Sequence, residues 1–374
     1  MTTSDQIVIS LIRKALCPKY KMDASLFVDS NWEEVMDAAT VQGVLGLCYE
    51  SIENASANQR PNLDCLMKWF GQVEYMKACY DAHQKAITEL AQFYNEHGIT
   101  MMLLKGYGLS LYWPTPNHRP VGDIDVFLLK EVLYNSKAQL LTDGIWREAD
   151  QLVYEKLGIK IESNHEHHTC FSYKGIMVEN HYDFINVRAH KDARQIEDKL
   201  KELISVRGES SLNSLGFLVP SPDFNVIFLI RHLGQHFAGE RVTLRQLLDW
   251  GVFLKNEGSK VDWKKIVPFL KQMGIWTFFN QTNAICEDIL GIQLAGHIPP
   301  IERDEQLKQR IVEDILHPEF SEDKPSRLIP VLRFKMKRWW FNRWKHPLIY
   351  NEWLLPMFLT LLWSHVRRIG TIKD

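Results

Sequence analysis

The sequence predicts an α+β fold, with a sheet-bearing core of roughly a hundred residues set between two helical regions. Three observations carry that expectation. Residues 6 to about 98 repeat apolar side chains at helical spacing. From Gly98 the texture changes to short, branched, apolar runs bounded by Gly and Pro, which is how strands read. Helical spacing returns after the Pro-rich break LVPSPDF at residues 218–224. The chain thus divides into a helical region (1–98), an α+β core (99–217), a second helical region (218–323) and a terminal segment (324–374).

In chain order, SLIRKAL belongs to a first helix and NWEEVMDAATVQGVLGLCYESI to a second. Asn31 is the expected N-cap of the second, because its short side chain accepts from free amides of the first turn while Glu33 and Glu34 suit the positive end of the dipole. A long helix follows from Leu63 to His97. In the core, strands are expected at ITMMLLKG, at DIDVFLL and, after Gly175, at VENHYDF. Between them the pattern suggests a helix at Glu131–Thr142 and strands at Val153–Ile161 and His167–Tyr173, with Gly144, Gly158 and Gly175 at the turns. After the break, NVIFLIRHLGQHF, TLRQLLDWGVFLKN, DWKKIVPFLKQMG and WTFFNQTNAICEDIL read as four helices.

Composition narrows the function classes. Hydrophobic residues at 45% and charged residues at 24% are ordinary globular values, which excludes collagen-like, low-complexity and disordered chains. Lys and Arg number 44 against 46 Asp and Glu, a net charge of −2, yet residues 324–374 carry 11 Lys and Arg against 2 Asp and Glu. An acidic body therefore adjoins a basic tail, which also holds Trp339, Trp340, Trp344, Trp353 and Trp363. That mixture suits first a terminal helical pair packed on the body, then an anionic membrane surface, and last a nucleic-acid backbone. Six cysteines without a CxxC pair point to reduced thiols and a cytoplasmic setting. The first residues lack the basic and long apolar stretches of a signal peptide. The uncharged run Trp353–Val366 is 14 residues, short of the roughly 20 that span a bilayer.

The strongest chemical signal is LLKGYGLSLYWPTPNHRPVGDIDVFL, residues 103–128. On a strand, Asp123 and Asp125 project to one side, and two neighbouring carboxylates favour a shared Mg²⁺ or Mn²⁺; a solvated edge strand is the plainer alternative. Lys105 and Gly106 close the preceding strand, where glycine admits a phosphate to the backbone and the ammonium supplies a mobile charge. Arg119 adds a planar fork for phosphate oxygens. Glu179 offers a third carboxylate on another strand, with His181 on its face. There is no GxxxxGK[ST] loop, no GxGxxG fingerprint, no GxSxG and no HExxH.

This combination of LKG, a proline-containing spacer, R-x-x-G-D-I-D-V and a later E-x-H resembles the polymerase-beta-like nucleotidyltransferase superfamily. More closely, it resembles a bacterial family of uncharacterised nucleotidyltransferases, over roughly residues 6–290. The resemblance implies a mixed-sheet core flanked by N-terminal and C-terminal helical regions, and transfer of an NMP group from an NTP, ATP first, to an unidentified hydroxyl acceptor. It makes Asp123, Asp125 and Glu179 metal ligands and catalytic carboxylates, and Lys105, Gly106 and Arg119 nucleotide contacts. A silent nucleotide-binding scaffold, peripheral to a membrane, is the competing expectation.

Two histidine groups complete the reading. In an extended segment His165 and His167 share one face while His168 and Cys170 share the other, so only a bent backbone would converge three of them on zinc. Ordinary polar positions are expected there, or support of the carboxylates by His168 or His181. His232 and His236, and Arg245 and Asp249, are i,i+4 pairs. They are read either as intrahelical partners or as a cleft wall in which Arg245 or His232 seats the nucleotide.

Overall fold

In the computed structural model, residues 1–352 are described except 54, 135–136, 164–165, 189, 206–213 and 321–327. The first region holds α1 (Thr3–Leu16), α2 (Trp32–Val41), α3 (Leu45–Glu53) and the 34-residue α4 (Leu63–Glu96). A capping box of Thr2 and Asp5 starts α1, and Asn31 caps α2 by accepting from the Glu33 and Glu34 amides. The single helix expected from residue 31 onward is two helices. The chain turns at Gly43, whose φ of +67° is a left-handed conformation that glycine adopts without a Cβ clash.

The core runs β1 (Thr100–Leu103), the short α5 (Tyr107–Ser110), β2 (Ile124–Tyr134), β3 (Lys137–Leu141), α6 (Ile145–Leu157), β4 (His168–Tyr173), β5 (Ile176–His181) and α7 (Ala193–Ser205). The sheet order is β1-β2-β5-β4, with β2 and β5 parallel and the other pairs antiparallel, while β3 pairs with the far half of β2. It is thus the mixed sheet, flanked by helices, that the sequence suggested. Both edges are covered: Leu218 exchanges backbone bonds with the β1 edge, and Glu162 with Cys170 on β4.

Two local expectations are overturned. Glu131–Thr142 is not a helix, because Lys130–Tyr134 continues β2 and pairs with β3; Val132, Leu133 and Tyr134 suit a strand as well as a helix, and an existing ladder decides. Val153–Ile161 is not a strand, because α6 runs through Leu157 and stops at Gly158, whose φ is +68°. Val153 is fully buried at helical spacing from Ala149, so the 3.6-residue period wins over its β-branched character.

The second helical region comprises α8 (Pro222–Gly239), α9 (Leu244–Glu257), α10 (Trp263–Gln272), α11 (Trp276–Asp288) and α12 (Glu305–Leu316), followed by α13 (Leu328–Asn342) and α14 (His346–Ile349). Strand alternation separates two cores. Met101, Leu103, Ile124, Val126 and Leu128 pack with Leu90 and Tyr94 of α4 and Val153 of α6. Met102, Phe127 and Leu129 join the larger core, with Trp69 of α4, Phe228 of α8 and Leu248 of α9. Asp125, sharing the period of Phe127, therefore faces the α8–α9 side.

The terminal segment's described part is docked on the body. Ile349 is fully buried beside Gly234, where a Cβ would come within 2.9 Å of it. Lys345 reaches Asp314 at 2.6 Å, and Trp344 meets Phe237 edge-on. Residues 353–374, with Trp353, Trp363 and the uncharged run to Val366, lie outside the described residues, as does His165. Among the described residues no helix is long and apolar enough to cross a membrane. All six cysteines are free thiols.

Candidate active site

The parallel pairing of β2 and β5 puts Asp125 directly opposite Glu179, and the β5–β4 pairing puts His181 opposite His168. Residues opposite one another in register share a face, so these four side chains converge, whereas Asn180 and Thr169 point away and bond to Asp150 of α6. Asp125, Glu179 and His181 offer ligand atoms within 4.8 Å of one another. Asp123 does not join that tight group. It stands exposed just before β2, at the rim of the same cleft, where desolvation and then the charges of Glu179 and Asp125 push its carboxyl up from the ordinary value.

Asp125 is the buried anchor, at 4% exposure. Lys105 lies 3.0 Å from its Oδ1, and His181 Nε2 donates to the same oxygen at 3.1 Å. Burial pushes this carboxyl up, but Lys105 and His181 outweigh it and hold it below the usual carboxylate range. His181 also lies 3.4 Å from Glu179 Oε2, and His168 3.6 Å from Glu179 Oε1. Both histidines thus stand beside the carboxylates.

Lys105, two residues past β1, donates as well to His232 Nε2 at 3.1 Å, with His236 a further 3.2 Å on. Burial, then the Lys105 charge, holds His232 well below its ordinary value, so it accepts from the ammonium. Gly106 follows with φ +61°, a backbone conformation that L side chains rarely adopt, and the Asp123 carbonyl lies 3.4 Å from where a Cβ would sit. The glycine lets the loop into α5 pass close under β2.

A cleft of about 250 Å³ opens between this floor and α8–α9; Lys105, Asp123, Asp125, His232, His236 and Arg245 are among its lining residues. The two arginines differ sharply. Arg119 is buried and gives Nε and Nη2 to the two oxygens of Asp249 at 2.7 and 2.8 Å, with Trp113 donating to the same carboxylate. The Arg245–Asp249 pair read along α9 therefore does not form. The guanidinium of Arg245 has no ion-pair partner among the described residues, while burial and the nearby Arg119 charge lower its pKa. Its stem lies against Gly43, where a Cβ would sit 3.1 Å from the Arg245 Cβ.

Sequence reasoning missed two features. Asp249 as the partner of Arg119 is 130 positions away, and no local spacing signals it. His167 was set aside on extended geometry, yet the chain bends at Glu166–His167, and its ring meets those of His168 and His181 at 4.6 and 5.5 Å. The bend supplies two of the three rings, and the third imidazole, His181, comes from the neighbouring strand.

Residues 29–291, over two thirds of the chain, match the model of a family described as uncharacterised nucleotidyltransferase. The matched stretch contains every residue named in the cleft. No curated protein and no solved structure matches the chain significantly.

Proposed function

The chain belongs to the uncharacterised nucleotidyltransferase family, and from that premise we propose that it transfers an NMP group from an NTP, ATP first, to a hydroxyl acceptor. In this reading the acceptor oxygen bonds to the α-phosphorus as the bond to pyrophosphate breaks. The observation that carries it is the in-register pairing of Asp125, which lines the cleft, with Glu179 on the next strand. Nucleotidyl transfer needs negative ligands there and positive ones opposite, and the cleft has both.

The donor set fits a hard divalent cation. Asp125 is kept ionised although buried, Glu179 adds oxygens beside it, and Asp123 waits at the rim. We infer that Asp123, Asp125 and Glu179 hold Mg²⁺ or Mn²⁺, which when bound would neutralise charge on the transferring and leaving phosphoryl oxygens. Lys105, paired with Asp125, would be free to turn to the triphosphate if that carboxylate held a cation. The Gly106 loop brings backbone amides to the phosphates without a side chain in the way. Arg245 supplies the unspent guanidinium of the opposite wall. Arg119 acts by fixing α9 through Asp249, so that Arg245 faces the floor. His181 and His168 orient the carboxylates. The free thiols support a cytoplasmic setting.

The test is a screen of labelled NTPs against a metabolite extract, comparing wild type with Asp125→Asn. Metal-dependent pyrophosphate release that vanishes in the variant supports the reading. Turnover intact in Asp125→Asn overturns the site. Nucleotide bound by wild type with no release against any acceptor turns the protein into a binding scaffold.

A further inference from the structure

His167, His168 and His181 offer ring nitrogens within 4.8 Å of one another, a second cluster beside the carboxylates and sharing His181 with them. Its origin is local. The register sets His168 opposite His181, and the bend at residues 166–167 turns His167 onto the same side, its carbonyl tied by the Tyr182 and Asp183 amides at 3.0 and 3.2 Å. Three imidazoles gathered on two anchored strands have no obvious structural use. His167 Nδ1 is buried without a hydrogen-bond partner among the described residues, which costs stability unless something else occupies its lone pair or proton.

A single ion answers that geometry. Metal–imidazole bonds of about 2.0–2.1 Å put two ligand nitrogens about 3.4 Å apart at the tetrahedral angle, so a cluster spanning under 5 Å needs only small ring movements. Imidazole suits Zn²⁺ and its transition-metal neighbours and is a poor ligand for Mg²⁺. Glu179 Oε1 lies 3.6 Å from His168 Nε2, at the border between the two clusters. We propose that His167, His168 and His181 form a transition-metal site of the zinc class, adjoining the carboxylate floor and chemically distinct from it. The proposal is independent of the nucleotidyl-transfer reading, since it concerns which ion binds and not what is turned over.

The experiment uses the full chain stripped with a chelator and titrated with Co²⁺, then Zn²⁺ by competition, in excess Mg²⁺. One equivalent of Co²⁺ is expected with the visible absorption of a low-coordinate imidazole complex, displaced by Zn²⁺ and not by Mg²⁺. His167→Gln and His168→Gln should each weaken binding by more than about 100-fold, the upper end for removing a merely supporting group, while Asp123→Asn leaves it unchanged. No binding, binding untouched by His167→Gln, or binding lost with Asp123→Asn overturns the site. Far-UV circular dichroism of the stripped variants checks folding. X-ray absorption of the wild-type Zn²⁺ complex gives a mutation-free readout, in which fewer than three imidazole scatterers also overturns it. Loss of turnover in Asp125→Asn with no Co²⁺ bound by wild type would sink this proposal and leave the proposed activity standing.

Discussion

Arg119 and Asp249, both nearly inaccessible, satisfy one another with a two-point fork, and Trp113 shares the carboxylate. Removing one member of a buried pair leaves the other charge desolvated, so Arg119→Ala should cost about 3–5 kcal/mol, read from urea unfolding. The double variant Arg119→Ala with Asp249→Ala should recover part of that loss, because no lone charge remains. Arg245→Ala should do the reverse. With no ion pair to lose, it should change stability by no more than about 0.5 kcal/mol, yet weaken NTP binding about tenfold or more, as measured by calorimetry. Equal losses of stability in the two variants would contradict the division of labour. Spacing along α9 correctly marked Arg245 and Asp249 as one-face neighbours, but it could not show which arginine takes the carboxylate. That choice is made by a loop 130 residues earlier in the chain.

Elements carry the next two expectations. The turn between α2 and α3 seats α9: Gln42 accepts from the Arg245 amide and, through its side chain, from the Leu244 amide, while Gly43 leaves room for the Arg245 stem. Gly43→Ala forces a left-handed backbone onto an L-residue, about 1–2 kcal/mol, and pushes a methyl onto Arg245. Stability and NTP affinity should therefore fall together in that variant, whereas Arg245→Ala moves affinity alone. On α7, Glu197 is fully buried and accepts from the Phe184 and Ile185 amides. Burial raises its carboxyl to about 7, with Lys201 pulling the other way. Unfolded, it ionises near about 4.3, so between these values the folded chain keeps a proton that the unfolded chain has lost. Its contribution is present in full below the lower value and is lost as pH rises through the upper one. Urea midpoints at pH 5 and pH 8 should fall further for wild type than for Glu197→Gln; identical slopes would remove this group from the account. At this scale much was legible from residue types: the Asn31 cap, the long α4 and the strand that carries Asp125. The β3 and α6 errors came from short apolar runs whose residue types fit both periods, so that pairing and burial decided the outcome.

Across the whole molecule, the larger core runs without a break from Ile7 and Trp69 in the first region, through Phe127 of the sheet, to Phe228, Phe279 and Ile349 near the end of the described chain. The four segments visible in composition are therefore not four cores. The basic segment shows how this works: its described part spends Lys345 on Asp314 and buries Ile349 against α8. A shared core predicts one cooperative unfolding transition, with tryptophan fluorescence and far-UV circular dichroism coinciding. Two distant truncations should both report on it. Trp69→Ala removes a fully buried indole whose N–H is given to the Leu45 carbonyl at 3.1 Å, at about 3–5 kcal/mol. Ile349→Ala empties the seat beside Gly234 and costs about 2–5 kcal/mol. If the regions fold as one body, each variant lowers the midpoint of the same transition, although the two sites are 280 residues apart in the chain. Two separated transitions, with Trp69→Ala moving only one of them, would instead make residues 1–98 a domain with its own stability. The α2–α3 turn would then place Arg245 only as firmly as that domain is held against α9.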